Sequence, residues 1–318
     1  MNQGRTSHVT RRKFLTSASI GAGALWFAPP ILFAQNGNPV TTSRNQGAAA
    51  KIIVQHLRGG VSVLSGSGGN IAVLSGADGK ILVDAGLTTS RRGIAEALAG
   101  IDANSIRHLI NTHWHYDHTD GNEWLNSSGA RIIAQENTRK HLSIATRVEA
   151  WKFTFPPSPT GALPTEVFKQ DLTLHLNGTT IVLKYFGPAH TDSDISVEFA
   201  DAEILHTGDT WWNGHFPFID YSTGGSIDGA IRAAEANITR AADKTLVIPG
   251  HGPVGDKSGL IEFRDMLVTI RGKVAALKKQ GKSLDETVVA APTADYDAKW
   301  GNFFINGKTF TALVYAGV

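Results

Sequence analysis

From residue 51 onward, short apolar runs alternate with glycine-rich breaks, and this pattern predicts strands. Residues 52–54, 61–64 and 71–74 are the first three runs. Ala77-Asp78-Gly79 then turns the chain into residues 80–84, a hairpin signal ending at Asp84. Helical spacing takes over at 89–99, where Ile94, Leu98 and Ile101 fall at i, i+4 and i+7. Residues 107–111 predict a strand that delivers the chain into Thr112-His113-Trp114-His115-Tyr116-Asp117-His118. A strand over 131–134 and a helix over 136–147 follow.

A second block has the same character. Leu172, Leu174 and Leu176 alternate with polar residues, and Asn177-Gly178 predicts a type I′ hairpin into residues 180–185. Strands are expected at 195–199, 203–206 and 245–248. Helices are expected at 227–240 and 258–279, and Ser283-x-x-Glu286 reads as a capping box opening another. Two successive blocks of strands followed by helices predict an α/β domain over 51–318, built from two similar halves packed together.

Two stretches fall outside this pattern. Residues 148–165 set Trp151, Phe153 and Phe155 among Pro156, Pro157, Pro159 and Pro164, a composition suited to a pocket wall or lid and equally to a loop tucked onto its own core. At the start of the chain, Arg11-Arg12-Lys13-Phe14-Leu15 opens a moderately apolar run to Ala34, diluted by Thr, Ser and Gly and broken by Pro29-Pro30. This resembles a twin-arginine signal, which exports folded proteins, and is a poor permanent membrane anchor. Residues 35–50 are rich in Asn, Gln, Gly and Ala and read as linker, so 1–50 are expected to be signal peptide and linker.

Charge sharpens that division. The chain of 318 residues carries a net +2, but residues 1–50 hold five Lys and Arg and no Asp or Glu, which leaves −3 on the remainder. A weakly acidic domain gives no reason to expect a nucleic-acid or anionic-membrane surface. There are no cysteines, which excludes disulfides, thiolate ligands and cysteine nucleophiles.

The chemistry concentrates in His113, His115, Asp117 and His118, four potential ligands within six positions in the pattern H-x-H-x-D-H. Neutral imidazoles and a carboxylate suit Zn²⁺. Three further residues stand in glycine-containing turns just after strands: His190 in Gly187-Pro188-Ala189-His190-Thr191, Asp209 in Thr207-Gly208-Asp209-Thr210, and His251 in Pro249-Gly250-His251-Gly252. In this order the set resembles the metallo-β-lactamase fold superfamily of metal-dependent hydrolases, over about residues 50–318.

The resemblance implies a four-layer αββα sandwich with two Zn²⁺ ions at one edge, Fe or Mn being alternatives. It assigns His113, His115 and His190 to one metal, Asp117, His118 and His251 to the other, and Asp209 to both. It gives Asp84 a supporting role behind the ligands. A hydroxide held between two cations is nucleophilic at neutral pH, and Asp117 would orient it. The implied activity is hydrolysis of an ester, thioester, lactone or lactam. The acid at 209 resembles the glyoxalase-II and lactonase-like branches, because the best-known β-lactamase branch has cysteine there. Only 67 residues follow His251, short for a glutathione-binding helical domain. The competing readings are a true β-lactamase and a non-enzymatic periplasmic metal- or ligand-binding protein.

The expected partners are a small acyl substrate with hydrophobic parts and the Tat export machinery, and the expected compartment is the periplasm. Trp151, Phe153 and Trp212 are the candidate substrate-lining residues. His56, His108, His141, His175, His206 and His215 match no ligand position.

Overall fold

The computed structural model describes residues 38–318, so the twin-arginine motif and its apolar run lie outside the described residues. Two sheets form the centre. The first holds β1 (Ile53–His56), β2 (Val61–Ser65), β3 (Ile71–Leu74), β4 (Lys80–Val83), β5 (Ile106–Asn111) and β6 (Arg131–Gln135). A separate hairpin of β7 (Thr146–Val148) and β8 (Phe153–Phe155) follows, and β9 (Glu166–Phe168) then closes the first sheet. The second sheet holds β10 (Asp171–Leu176), β11 (Thr179–Tyr185), β12 (Ile195–Phe199), β13 (Ile204–His206), β14 (Leu246–Ile248) and β15 (Gly255–Asp256).

Both sheets begin as antiparallel meanders and then become parallel across a helical connection. β4 pairs parallel with β5, and β13 parallel with β14. The Asn177-Gly178 turn has φ of 53° and 71°, the positive pair that a type I′ turn needs.

The apolar residues sort into the layers by strand alternation. Val61, Val63, Ala72, Ile81 and Val83 face Ile181, Leu183, Val197 and Phe199 between the sheets. Their neighbours Leu64, Ile71, Val73 and Leu82 point the other way, against Ile94, Leu98, Trp124 and Leu125. Strands buried on both faces read as unbroken apolar runs, which is why 71–74 shows no polar alternation. Beneath the second sheet, Leu205 and Val247 meet Ile227, Leu260, Phe263, Leu267 and Phe310. Each fully buried aliphatic side chain here stabilises the fold by about 1.5–3 kcal/mol. The layers are therefore helix, sheet, sheet, helix.

The helices are α1 (Pro39–Ala49), α2 (Arg91–Ile101), α3 (Tyr116–Thr119), α4 (Asn122–Ser127), α5 (Glu136–Ser143), α6 (Ile227–Arg240), α7 (Lys257–Lys279), α8 (Leu284–Val289), α9 (Ala294–Trp300) and α10 (Gly307–Gly317). None of the described helices is long and apolar enough to cross a membrane.

Three local expectations change. Residues 39–49 form a helix where linker was expected, because Asn38 accepts from the amides of Val40 and Thr41, Pro39 presets the first turn, and the helix packs onto the domain. Arg44 Nη2 reaches Asp120 Oδ1 at 2.7 Å, and Ser90 Oγ donates to the Gly47 carbonyl at 2.5 Å. The helix expected over 136–147 stops at Ser143, where β-branched Ile144 and Thr146 lead into β7. Finally, 148–165 is an ordered hairpin and turn, not one long loop.

Candidate metal centre

Every ligand-type residue singled out above lies at the same edge of the two sheets. His113, His115, Asp117 and His118 follow the C-terminal end of β5; Asp209 sits in a 3₁₀ turn after β13, and His251 follows β14. His190 enters from the loop before β12. Rigid strand ends place these side chains, and the loops between carry them. Ligand atoms of His113, His115, His190 and Asp209 all lie within 4.8 Å of one another, and those of Asp117, His118 and His251 do the same.

Asp209 stands between the two groups. Its Oδ2 is 3.3 Å from His190 Nε2, 3.8 Å from His113 Nε2 and 3.5 Å from His251 Nε2, while Oδ1 is 3.0 Å from His118 Nε2. Glycine makes this approach possible. A Cβ on Gly250 would lie 1.9 Å from Asp209 Oδ1, and one on Gly69 2.1 Å from the His118 ring.

Hydrogen bonds on the far sides of the rings fix which nitrogen faces inward. His190 Nδ1 is 2.7 Å from the Phe218 carbonyl, which can only accept, so the proton sits on Nδ1. His115 Nε2 likewise faces the Asp220 carboxylate at 3.1 Å. The remaining lone pairs, His115 Nδ1 and His190 Nε2, therefore face each other at 2.8 Å and need a cation or a proton between them. His118 Nδ1 donates to Asp84 Oδ2 at 2.7 Å, which turns the lone pair of Nε2 toward Asp209.

Buried His113 Nε2, His118 Nε2, His251 Nε2 and Asp209 Oδ1 have no hydrogen-bond partner. An unmet buried polar atom costs about 1–3 kcal/mol. Four of them converging, with imidazoles and carboxylates as the donors, fit divalent cations.

The supporting residues are Asp84, expected from the sequence, and Asp220, Thr112 and Asn70, which were not. Asp84 also accepts from the Thr112 amide (2.7 Å) and hydroxyl (2.8 Å). Asp220 is held by Thr223 Oγ1 at 2.7 Å. Asn70 donates to the carbonyls of Pro249 and Gly252, both at 2.9 Å, and so pins the His251 loop to the first half of the fold. Nothing in the local sequence distinguishes Asp220 or Asn70 from turn residues.

Burial lowers the pKa of His113, His115 and His190 and keeps them neutral, as ligands require. At His118 burial opposes the charge, but the carboxylates of Asp209, Asp117 and Asp84 outweigh it and hold the pKa well above the ordinary value. At His251 the same contest, won by Asp209 and Asp117, pushes the pKa up to about 9.

A pH dependence follows for metal-stripped protein. A histidine whose pKa rises on folding stabilises the fold fully below its unfolded value near 6.5, and that contribution is lost as pH climbs through about 9. Chelated protein should therefore lose stability between pH 6.5 and 9, by roughly 3 kcal/mol at most from His251. Metal-loaded protein should not. Urea melts with and without chelator across that range measure the difference.

The candidate substrate residues separate. The Trp151 ring is 5.0 Å from His115 and stacks on Phe218 at 4.9 Å. Trp212 lies 4.4 Å from His251 and 6.3 Å from His190. Phe153 meets Phe155 in β8 and makes no ring contact with any of the seven. Trp211 is fully buried beneath α7, where Gly255 and Gly259 make room for its indole. The proline-rich segment does line a cavity of about 380 Å³, with Phe155, Pro156, Pro157, Trp114 and Tyr116, but none of the seven contributes to its wall.

An αββα sandwich carrying two His/Asp groups at one edge defines the scaffold of a metal-binding protein. A model of the metallo-beta-lactamase superfamily matches residues 64–253, and the chain belongs to that superfamily, whose members are generally metal-dependent hydrolases. It is 27% identical over 158 residues to a metallo-beta-lactamase type 2 of Pseudomonas aeruginosa, covering 48% of this chain and 55% of that protein. It is 26% identical over 157 residues to a hydroxyacylglutathione hydrolase of Polaromonas sp. (strain JS666 / ATCC BAA-500), covering 49% and 52%. The chain thus spans about half the length of the curated relatives it matches. Among solved structures, the DIM-1 metallo-beta-lactamase aligns with a TM-score of 0.56 at 21% identity, over 69% of this chain and 98% of that one.

Proposed function

We propose that this chain is an exported hydrolase holding two divalent cations, zinc first among them, and that it cleaves an ester, thioester, lactone or related acyl bond. The observation that carries the reading is the pair of ligand groups meeting at Asp209, with unpartnered lone pairs converging between them. When bound, such cations supply Lewis acidity to a carbonyl and make water nucleophilic at neutral pH.

The protein's own residues do the positioning. Asp84 and Asp220 hold His118 and His115 in the tautomers that bind a cation. Asp117 has 14% of its side chain exposed, so its carboxylate can accept a hydrogen bond from the incoming nucleophile while Oδ2 stays 3.3 Å from His251. An aspartate at 209 favours ester, thioester or lactone cleavage over thiolate-type β-lactam cleavage. The β-lactamase reading is supported by the P. aeruginosa relative.

Metal analysis of the purified protein, coupled to turnover of a lactone, a thioester and nitrocefin, separates the two. The proposal fails if no stoichiometric metal binds, or if His113→Ala and Asp117→Ala leave hydrolysis intact. A dominant nitrocefin rate would move the assignment to β-lactamase. Retention of all seven donors argues against a non-enzymatic carrier.

Export to the periplasm through the Tat machinery is the further part of the proposal, carried by Arg11-Arg12 ahead of the diluted apolar run. Replacing both with lysine should strand the precursor inside the cell, and normal export of that variant refutes it.

A further inference from the structure

The seven donor residues are not equally reachable. The side chains of His113, His115, His118, His190 and Asp209 are 0–2% exposed, whereas Asp117 and His251 reach 14% and 10%. The centre therefore opens to solvent along its Asp117–His251 edge, and a substrate must arrive there.

One large apolar side chain stands beside His251 on that edge. Phe303, in the short connection between α9 and α10, is 51% exposed, with its ring 6.1 Å from His251, 6.1 Å from Trp212 and 4.5 Å from His215. A single exposed aromatic needs no explanation by itself. Here an exposed ring sits against a ring of the centre, backed by a second aromatic, Trp212.

The stretch of chain that carries Phe303 is uncharged. Residues 301–306 contain no Asp, Glu, Lys or Arg, and Lys299 just before them is held by Glu262. His215 is kept neutral at pH 7 because burial lowers its pKa.

We propose that Phe303, backed by Trp212 and His215, receives an uncharged apolar group of the substrate and is a specificity-determining residue of the site. The proposal rests on the hydrolase reading above and names the substrate class more narrowly: acyl compounds with a neutral aliphatic or aromatic arm. A half-exposed ring that gains an apolar neighbour buries carbon surface on both partners, so affinity should grow with the length of the arm.

Zinc-loaded protein should prefer p-nitrophenyl octanoate to p-nitrophenyl acetate. In Phe303→Ala that preference should fall about tenfold, through KM for the octanoate, with acetate turnover within about twofold of the parent and metal content unchanged. Phe303→Leu should restore most of the preference. Equal losses on both esters, or none on either, overturn the proposal.

Calorimetric binding of octanohydroxamic and acetohydroxamic acids provides a readout that does not need turnover. If neither ester is cleaved yet the longer acid binds more tightly and loses that advantage in Phe303→Ala, the hydrolase reading fails and the apolar site stands. Equal affinity of the two acids for the unaltered protein overturns the apolar site.

Discussion

Asp209→Asn should fold, bind fewer than two metal ions per chain, and lose at least about three orders of magnitude in kcat/KM. The expectation rests on where the carboxylate sits: four histidine Nε2 atoms, from both ligand groups, lie within 3.0–3.8 Å of its two oxygens. Burial disfavours the charge on Asp209, but His118, His251, His190 and His113 hold its pKa well below the usual carboxylate range, so the anion is present at any working pH. An amide keeps the shape, removes the negative charge and offers one acceptor where two are needed.

Losing preorganised electrostatic stabilisation at a single donor costs about 10²–10³ in rate, and loss of a cation adds to it. Asp209→Cys separates charge from geometry. A thiolate is anionic but has one donor atom, so it should serve one ligand group and leave the other weak. Metal titration followed by plasma emission would show one tight site in Asp209→Cys and none or one weak site in Asp209→Asn. Two tight sites in Asp209→Asn would show that the carboxylate is not shared.

How much of this was legible beforehand depends on the kind of signal each residue sends. Most of the core strands could be read because they are apolar runs, and helices α2, α6 and α7 because their buried residues recur every three or four positions, whereas the short β7, β8, β9 and β15 could not. The seven donors could be picked out because each belongs to a short, residue-rich turn directly after a strand, or just before one in the case of His190. Asp220 and Asn70 could not, since their roles arise only when the loop carrying Asp220 meets His115, 105 residues away, and when Asn70 meets the Pro249–Gly252 turn. The same limit applies to α1: its sequence is polar and weakly amphipathic, and it is held by contacts to Asp120, Leu87 and Ser90 that no local pattern announces. Phe153 is a different case. Its aromatic, proline-rich context pointed to a pocket; in β8, where residues two apart share a face, its ring meets Phe155 at 4.6 Å rather than any of the histidines.

Asp84 is the other residue where a small change should have a large effect, and two substitutions there should fail in different ways. It holds φ at +68°, a backbone conformation that Asp and Asn tolerate better than most residues, directly after β4. Its carboxylate is fully buried and accepts three hydrogen bonds, from the Thr112 amide, the Thr112 hydroxyl and His118 Nδ1.

Alanine would keep the strained φ and leave all three donors unmet, which should cost about 3–5 kcal/mol of folding stability. Asparagine should fold with a much smaller loss, yet one of its two faces must be wrong. With its oxygen toward the Thr112 amide, its NH₂ meets His118 Nδ1, and the imidazole can answer only by moving its proton to Nε2, the atom turned toward Asp209. With the amide reversed, an NH₂ faces the Thr112 N–H, which cannot accept.

Because the backbone donor has no alternative, the first orientation should win, and His118 should be held in the tautomer that cannot bind a cation. Asp84→Asn is therefore expected to melt within about 1–2 kcal/mol of the parent while its affinity at the Asp117–His118–His251 group falls 10–100-fold. Urea denaturation in chelator measures the first, and competition against a chromophoric chelator the second. Equal metal affinity in Asp84→Asn and the parent would show that the ring orientation of His118 does not depend on Asp84.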